Sequence, residues 1–327
     1  PTEIYLACSS VRGLGDGVYH YEPLRGLLHR IRGEDPFPDR GDPAARFFFS
    51  AVTFRSAWKY RARSYRYHLL DTGHAVEALV LALAALGRPG TVGLDFDDDG
   101  LNRLLGLDTA REVALAWVDP AREEGPEPVV DLPPLPESVL RASRSAEREV
   151  DYPQLREIHG RGKAIRLPTP GEAPASMVHR LGLDPTSRSA LPAPGAASPG
   201  GSFAETVHAR RSSRNFVREP MSLEAFSRLM AALAAEGDGA DPHAAVATGL
   251  IVGRVEGTAP GFYLLDPEKG QSGCVRAGDF TSPMARVCLD QAWAAGAALQ
   301  VLFMADLDLL DRVRGARGYR HAMLAAG

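Results

Sequence analysis

The chain of 327 residues is long enough for two domains, or one large domain, with a substantial hydrophobic core. Hydrophobic residues make up 45% and charged residues 24%, and the net charge of −4 gives no general reason to expect nucleic acid or an anionic membrane as a partner. Only three cysteines occur, widely spaced, so they predict neither a disulfide framework nor a zinc site, and a reducing cytoplasm is the expected compartment.

The most apolar stretch, residues 75–86, is too short to span a bilayer and includes Glu77, so it predicts a buried helix. No signal peptide is recognisable at the first residues. Because the chain opens on Pro1 and stops at Gly327 inside a predicted helix, we expect the working protein to extend beyond both ends.

The first third of the chain predicts strands and one long helix. "EIYLACS" (3–9) and "GVYHYEP" (17–23) are typical of short strands, the second alternating and ending in a turn. Residues 45–87 predict a strand, a polar loop and a helix that is apolar nearly all round from Ala75. Such a helix is expected inside a core or in a dimer interface. Gly87 and Pro89 stop that helix. Residues 91–120 predict a strand, a short helix and another strand.

The middle of the chain, residues 123–201, is rich in Pro, Gly and Ser. Within it, "ALPAPGAASPGG" predicts a flexible linker, "SVLRASRSAERE" has helical character and "DYPQLREIHG" predicts a short ordered extension. Beyond it, "SLEAFSRLMAALAAEG" predicts an amphipathic helix capped by Ser222. Two strands and a helix passing into a buried strand follow, with Cys288 in the core. Strands and helices mix without a βαβ rhythm or a Gly-rich dinucleotide fingerprint, which favours an α+β fold.

Two blocks of sequence recur in the same order and at nearly the same offset. "VRGLGDGVYHYEP" (11–23) aligns without a gap with "VEGTAPGFYLLDP" (255–267), and "ARSYRYHLLDTG" (62–73) aligns with "ARGYRHAMLAAG" (316–327). We therefore predict two diverged copies of one domain. Residues 1–125 form copy 1, residues 126–200 an extension and linker, and residues 201–327 copy 2.

The densest basic cluster of copy 2 lies in "HARRSSRNF", residues 208–216. Three forked guanidinium groups and a hydroxyl within five residues suit a phosphate, although a solvated basic loop is an open alternative. These groups belong to Arg210, Arg211, Ser212 and Arg214.

Each repeat block also places a pair of arginines at the start of a predicted helix, where the helix dipole favours an anion. Copy 1 has "RSYR", with Arg63 and Arg66, and copy 2 has "RGYR", with Arg317 and Arg320. We expect Arg63, Arg66 and Arg320 to contact a bound anion.

Several of these segments resemble known flavoproteins. "RRSSRNF" followed by "EPMSLEAFSRLM" resembles the N-terminal flavin-binding segment of the nitroreductase superfamily. "PTEIYLACSSVRGLGDGVYHYEP", "FRSAWKYRARSYRYHLLDTGH" and "LDFDDDGLNRLLGLD" are similar to its SagB-type branch, the azoline dehydrogenases of modified-peptide pathways. The resemblance covers most of residues 1–125 and, more weakly, 201–327. Its specific element is W-K-Y-x-x-R-x-Y-R.

The resemblance implies a nitroreductase-like fold, a mostly antiparallel sheet flanked by helices, that works as a homodimer or here as an internal pseudo-dimer. It implies FMN, bound by the arginines named above, and an azoline-containing peptide as substrate beside a cyclodehydratase. It also implies that Lys59 and Tyr60 are the catalytic pair. Oxidation of an azoline to an azole removes a proton and a hydride. Lys59 would take the proton, provided that burial and neighbouring arginines favour its neutral form, and Tyr60 would relay the proton or orient the ring.

Departures from the family pattern leave alternatives open. Copy 2 has Val313 and Arg314 at the positions of Lys59 and Tyr60, and copy 1 has no R-R-S segment. One FMN site across the halves and one site in copy 1 both remain open. So do a general NAD(P)H-dependent nitroreductase-like flavoenzyme and a flavin-free scaffold for a peptide or partner protein.

Other candidate sites are weaker. The acidic run 97–99 resembles metal-binding carboxylates, but with no further ligand spacing it predicts an acidic helix start, and no metal is expected. The histidines, among them His68, His74, His159 and His208, are scattered and show no catalytic order.

Overall fold

The computed structural model describes residues 1–39, 42–120, 127–130, 132–165, 176–191, 201–235 and 242–327. These residues fall into two compact units. Unit 1 holds the described residues up to 165 together with Leu307–Gly327, and unit 2 holds the described residues from 176 to 306. The predicted linker lies partly outside the described residues. The two units do not coincide with the predicted copies 1–125 and 201–327, because residues 307–327 belong to unit 1. The copies are therefore defined by the repeat in the sequence alone.

Unit 1 is built on a six-stranded antiparallel sheet in the order β3-β2-β1-β4-β6-β5. Its strands are β1 Thr2–Ser9, β2 Gly17–Glu22, β3 Leu27–Arg32, β4 Ala44–Val52, β5 Thr91–Gly93 and β6 Glu112–Asp119. Its helices are α1 Phe54–Tyr60, α2 Ser64–Ala85, α3 Asp98–Leu105, α4 Glu137–Leu140, α5 Pro153–Arg161, α10 Leu307–Arg314 and α11 Arg317–Ala326. A single 3-10 turn, Arg61–Arg63, joins α1 to α2.

The two faces of this sheet carry separate cores because successive side chains of a strand point to opposite faces. On one face, Phe49 of β4 belongs to a cluster with Leu69 and Val76 of α2. On the other face, Phe48 packs in a cluster with Leu101 of α3. Full burial of an apolar side chain of this size stabilises the fold by roughly 1.5–3 kcal/mol.

Within unit 1, helix α2 is buried on one side only, so the expected core position is confirmed for that side. Burial of the other side in a dimer interface stays a prediction. Val76 and Leu83 are buried, whereas Leu81 is 47% exposed, and Leu86, which follows the last helical residue, is 78% exposed. The helical run Phe54–Ala85 is long and apolar enough to cross a membrane by length and composition alone. Here its buried residues form part of the core of unit 1.

Unit 2 is built on a five-stranded antiparallel sheet in the order β11-β8-β9-β10-β7. Its strands are β7 Ser187–Ala190, β8 Ala247–Val252, β9 Gly261–Asp266, β10 Gln271–Ala277 and β11 Leu299–Met304, and its helices are α6 Phe203–Ala209, α7 Leu223–Ala234, α8 Pro242–Ala245 and α9 Thr281–Val287.

The Ser222 hydroxyl accepts from the Ala225 amide, so the predicted cap is confirmed. The prediction for Cys288 is wrong, because this thiol is exposed beyond the end of α9.

The order of strands repeats between the two sheets. The run β3-β2-β1-β4 of unit 1 has the same connectivity as β10-β9-β8-β11 of unit 2. The first pair of sequence blocks, 11–23 and 255–267, contains β2 and β9. The second pair, 62–73 and 316–327, contains the start of α2 and the whole of α11. The two units therefore share one strand connectivity, while the copy boundaries 1–125 and 201–327 stay a prediction from the sequence.

Candidate functional site

Lys59 and Tyr60 lie in the last turn of α1, and both side chains are exposed. Ser56 and Ala57 are the buried residues of this short helix, and residues 58–60, which follow them, are exposed. The Lys59 ammonium lies 5.2 Å from the centroid of the Tyr60 ring. That ring meets Tyr67 edge-on, with the two centroids 4.7 Å apart. The predicted pair is therefore held together on an open surface of unit 1.

The residue after this pair has an unusual backbone conformation. Arg61 has φ 51° and ends α1 with its amide donating to the Ala57 carbonyl. Positive φ is uncommon for a side chain other than glycine. The corresponding position between α10 and α11 is Gly315, with φ 62°. Copy 1 thus has Arg61 where copy 2 has glycine, the residue that adopts a positive φ without strain.

Arg63 and Arg66 are exposed at the start of α2. The Arg63 guanidinium lies 5.9 Å from the centroid of the Tyr67 ring, and Arg66 Nε donates to the Tyr319 hydroxyl at 3.2 Å. That hydrogen bond is the first cause of the raised pKa of Arg66. Within the part of the chain that the structure describes, neither arginine forms an ion pair. Both can still bind an anion.

Arg320, at the repeat position of Arg66, has a different environment. It is 2% exposed, and its Nη1 donates to Asp98 Oδ1 at 2.7 Å. Its Nη2 donates to the carbonyls of Ala114 and Leu115 at 3.3 and 3.4 Å. Most of its donors are therefore already used inside the protein. The geometry favours a structural role for Arg320 over the predicted cofactor contact.

Arg317 completes this buried cluster. Its Nη1 donates to Asp98 Oδ2 at 2.6 Å, and its Nη2 donates to the Leu94 carbonyl at 2.7 Å. Asp98 is 2% exposed and lies in the first turn of α3, which Asp97 caps by accepting from the Asp99 amide. The acidic helix start was predicted correctly, but its role as counter-ion for two buried arginines was not. The only sequence signal was the repetition of the arginine pair.

The basic segment of unit 2 follows the C-terminus of α6, and all of its side chains are exposed. Arg210 Nη1 lies 3.4 Å from the Ser212 hydroxyl, and Arg211 Nη1 donates to the His208 carbonyl at 2.7 Å. Among the described residues, Arg210, Arg211 and Arg214 have no carboxylate partner within ion-pair distance. These three guanidinium groups fit the charge of a phosphate.

One cluster of unit 2 has the residue types of a metal site. His179, Asp266 and Glu268 bring their ligand atoms within 4.8 Å of one another. Lys269 Nζ lies 3.2 Å from Asp266 and already supplies a positive charge there. We assign no metal to this exposed group.

A flavin mononucleotide, the cofactor that the sequence resemblance implies, needs cationic donors for its phosphate. Each unit taken by itself has exposed arginines that can act as such donors, and charge-assisted hydrogen bonds from guanidinium to phosphate are stronger than neutral ones. The residues present therefore fit the group, apart from the buried Arg320.

Comparisons with known proteins agree on the fold. No family model matches the chain. A protein of Methanocaldococcus jannaschii with a provisional nitroreductase name is 29% identical over 118 residues, which span 33% of this chain and 59% of that relative. A crystal structure from Anabaena variabilis, also provisionally named a nitroreductase, matches 100% of this chain and 70% of its own with 21% identity and a TM-score of 0.77.

The Escherichia coli microcin synthetase McbBCD complex matches 36% of this chain and 50% of its own at 22% identity, with a TM-score of 0.32, a likeness too slight to bear on function. The protein thus has a nitroreductase-like fold, with antiparallel sheets flanked by helices, as predicted.

Proposed function

We propose that the protein is an FMN-dependent oxidoreductase of the SagB type that oxidises thiazolines or oxazolines of a peptide to azoles. The observation that carries the proposal is the exposed Lys59–Tyr60 pair, which precedes two exposed arginines, Arg63 and Arg66, that form no ion pair among the described residues. The nitroreductase-like fold of the whole chain supports a flavin as cofactor.

The pair would perform the proton chemistry of the reaction. Oxidation of an azoline ring removes one carbon-bound proton and one hydride. A bound FMN would supply the hydride acceptor. Lys59, in its neutral form, would accept the proton, and a positioned base typically contributes about 10²–10⁴-fold to the rate. Tyr60 holds its ring beside the amine and would orient the substrate or relay the proton.

Two sets of donors are proposed for the phosphate of FMN. Arg63 and Arg66 precede and begin α2 in unit 1, and the second set is the exposed segment of unit 2. The members of the second set are Arg210, Arg211, Ser212 and Arg214. Substitution of each set separately distinguishes one flavin site from two.

The proposed partners are an azoline-containing peptide and the cyclodehydratase that would form its rings, in the cytoplasm, where free cysteines stay reduced. The state of assembly is a homodimer or an internal pseudo-dimer. The packing of α11 on α2 within unit 1 supports the pseudo-dimer, because these helices carry equivalent repeat blocks.

The test uses the purified full-length protein. Denaturation should release FMN rather than FAD, as identified by chromatography. Incubation with an azoline peptide, without added nicotinamide, should give a product lighter by two hydrogen atoms in mass spectrometry. Turnover of small electrophiles only in the presence of reduced nicotinamide would favour a general nitroreductase instead. A protein that stays colourless after reconstitution with flavin would favour a binding scaffold.

A further inference from the structure

A cavity of about 220 Å³ in unit 1 lies apart from the catalytic pair. It is lined by the end of β4, by β6 and by the facing sides of α2 and α5, and neither Lys59 nor Tyr60 is among its lining residues. Apolar side chains make up much of the wall. These are Ala51, Val113, Leu115 and Leu155.

Two histidines of this wall, His68 and His159, have a buried Nε2 without a hydrogen-bond partner among the described residues. His68 is 1% exposed. A hydrogen bond to the backbone of Thr53 acts to raise the His68 pKa, as donation from the ring to a carbonyl group does, and this leaves Nε2 as the unprotonated nitrogen of the neutral ring. Burial lowers the pKa of His68 to about 4, so the ring is neutral at physiological pH. Nε2 therefore presents a buried lone pair that can only accept.

Tyr65, one helical turn before His68 on α2, adds a second acceptor. The Tyr65 hydroxyl lies 3.4 Å from His159 Nδ1, and His159 Nε2 lies 3.5 Å from Asp98 Oδ1. His159 Nε2 has no hydrogen-bond partner among the described residues, so either the Tyr65 hydroxyl or His159 Nδ1 donates in this contact. In either case the Tyr65 oxygen keeps a lone pair that can accept.

Two cations also line the cavity, but both are paired. Arg156 Nη2 donates to Asp151 at 2.6 Å, and Lys163 forms an ion pair with Asp99. Among the described lining residues, an anion would meet the His68 lone pair and no cation without a carboxylate partner. A buried acceptor left without a donor is unfavourable, so the best occupant is neutral and donates.

We propose that this cavity binds a small, neutral, planar molecule that carries an N–H donor, as an aromatic carboxamide does. Its ring lies against Leu115 and Leu155, and its N–H group donates to His68 Nε2. The volume suffices, since a cavity of ~150 Å³ already holds benzene.

The test measures binding by calorimetry and by NMR of the histidine ring protons, and it requires no flavin and no turnover. The probe is benzamide, and N,N-dimethylbenzamide has the same ring without the donor. Benzamide should bind one-to-one and about tenfold more tightly than the dimethyl compound, the difference that one such hydrogen bond makes. Success or failure here is independent of the proposed azoline chemistry.

Two variants locate the contact. His68→Leu removes the acceptor and should weaken benzamide about tenfold while leaving the dimethyl compound unchanged. His74→Leu is the matched control, because His74 lies on the same helix with an exposed ring bonded to the Leu70 carbonyl. It should change neither affinity.

Equal binding of the two amides, or an unaltered affinity for benzamide in His68→Leu, would overturn the proposal. So would the absence of any binding, which would mean that the cavity holds only water. If His68→Leu does not fold, Leu155→Phe provides a second variant that fills the cavity from α5. It must abolish benzamide binding.

Discussion

Tyr65 and Tyr319 stack on each other, with their ring centroids 6.3 Å apart and their planes inclined by 14°. The two tyrosines occupy the same position in the two repeat blocks, on α2 and α11. Arg66, beside the first, donates to the hydroxyl of the second. Equivalent residues of the two blocks thus contact each other inside unit 1.

The glycines that end the two blocks show the same reciprocity. A Cβ atom on Gly73 would lie 2.3 Å from the Leu324 carbonyl oxygen, and one on Gly327 would lie 2.3 Å from that of Leu70. Leu70 and Leu324 are themselves equivalent in the blocks. A contact in which residue i meets j and j meets i is the mark of a two-fold interface. The helices therefore pack as two subunits of a dimer would.

Gly73→Ala should destabilise the protein. The added methyl group meets backbone atoms of α11 that cannot move independently, and overpacking of this kind costs about 1–3 kcal/mol or more. Urea unfolding measures the effect. Gly160→Ala is the matched control, because a Cβ there meets nothing within 4 Å and the residue lies in α5. It should be neutral or stabilising, and equal losses in both variants would contradict the close-packing argument.

Arg61→Gly should stabilise the protein by about 1 kcal/mol, because glycine adopts the positive φ of this position without strain. The repeat position already has glycine, and Gly315→Ala should shift the free energy of unfolding in the opposite direction. A lower free energy of unfolding for Arg61→Gly would show that contacts of the Arg61 side chain outweigh the strain.

Arg66→Ala and Arg320→Ala should separate binding from stability. Arg66 is exposed, so its loss should lower FMN retention, each lost charged hydrogen bond costing about 1.5–3 kcal/mol, with little change in unfolding. Arg320→Ala leaves the charges of its buried cluster unbalanced and should destabilise by roughly 3–5 kcal/mol. Arg88→Ala, at an exposed arginine beyond the C-terminus of α2, is the control. The assignment fails if Arg66→Ala keeps full flavin occupancy.

Sequence patterns predicted the α+β class, the helix start at Asp97 and the Ser222 cap because each depends on neighbours a few residues away. The different environments of Arg66 and Arg320 could not be predicted from the same "YR" pattern. Asp98, which binds Arg320, lies 222 positions earlier in the chain, and only the fold brings the two together. Likewise, composition alone predicted burial of α2 but not which of its faces the sheet would cover.

Acidification should weaken the fold between about pH 6.5 and pH 4. Burial lowers the pKa of His68 from 6.5 to about 4, so over this range the unfolded chain binds a proton that the folded chain does not. Neutral His68 thereby contributes on the order of 3 kcal/mol to the free energy of unfolding. This contribution is complete above pH 6.5 and is lost as the pH falls towards 4. Burial lowers the pKa of His159 and of His321 in the same direction.

Urea unfolding at several pH values checks this slope. His68→Leu should flatten it, whereas His74→Leu, which changes an exposed ring on the same helix, should not. An unchanged slope in His68→Leu would mean that the other buried histidines account for the whole effect.

Lys59→Ala and Tyr60→Phe should slow azole formation while leaving the fold and the flavin content nearly intact. Both side chains are exposed at the end of α1, so neither supplies core packing. Loss of a positioned base costs about 10²–10⁴-fold in rate. Mass spectrometry of the peptide product measures the rate, and visible absorbance measures bound flavin. Arg314→Ala is the control, since at the repeat position of Tyr60 this residue pairs with Asp95 at 3.1 Å. Wild-type oxidation by Lys59→Ala with FMN bound would reduce the Trp-Lys-Tyr motif to a feature of the fold.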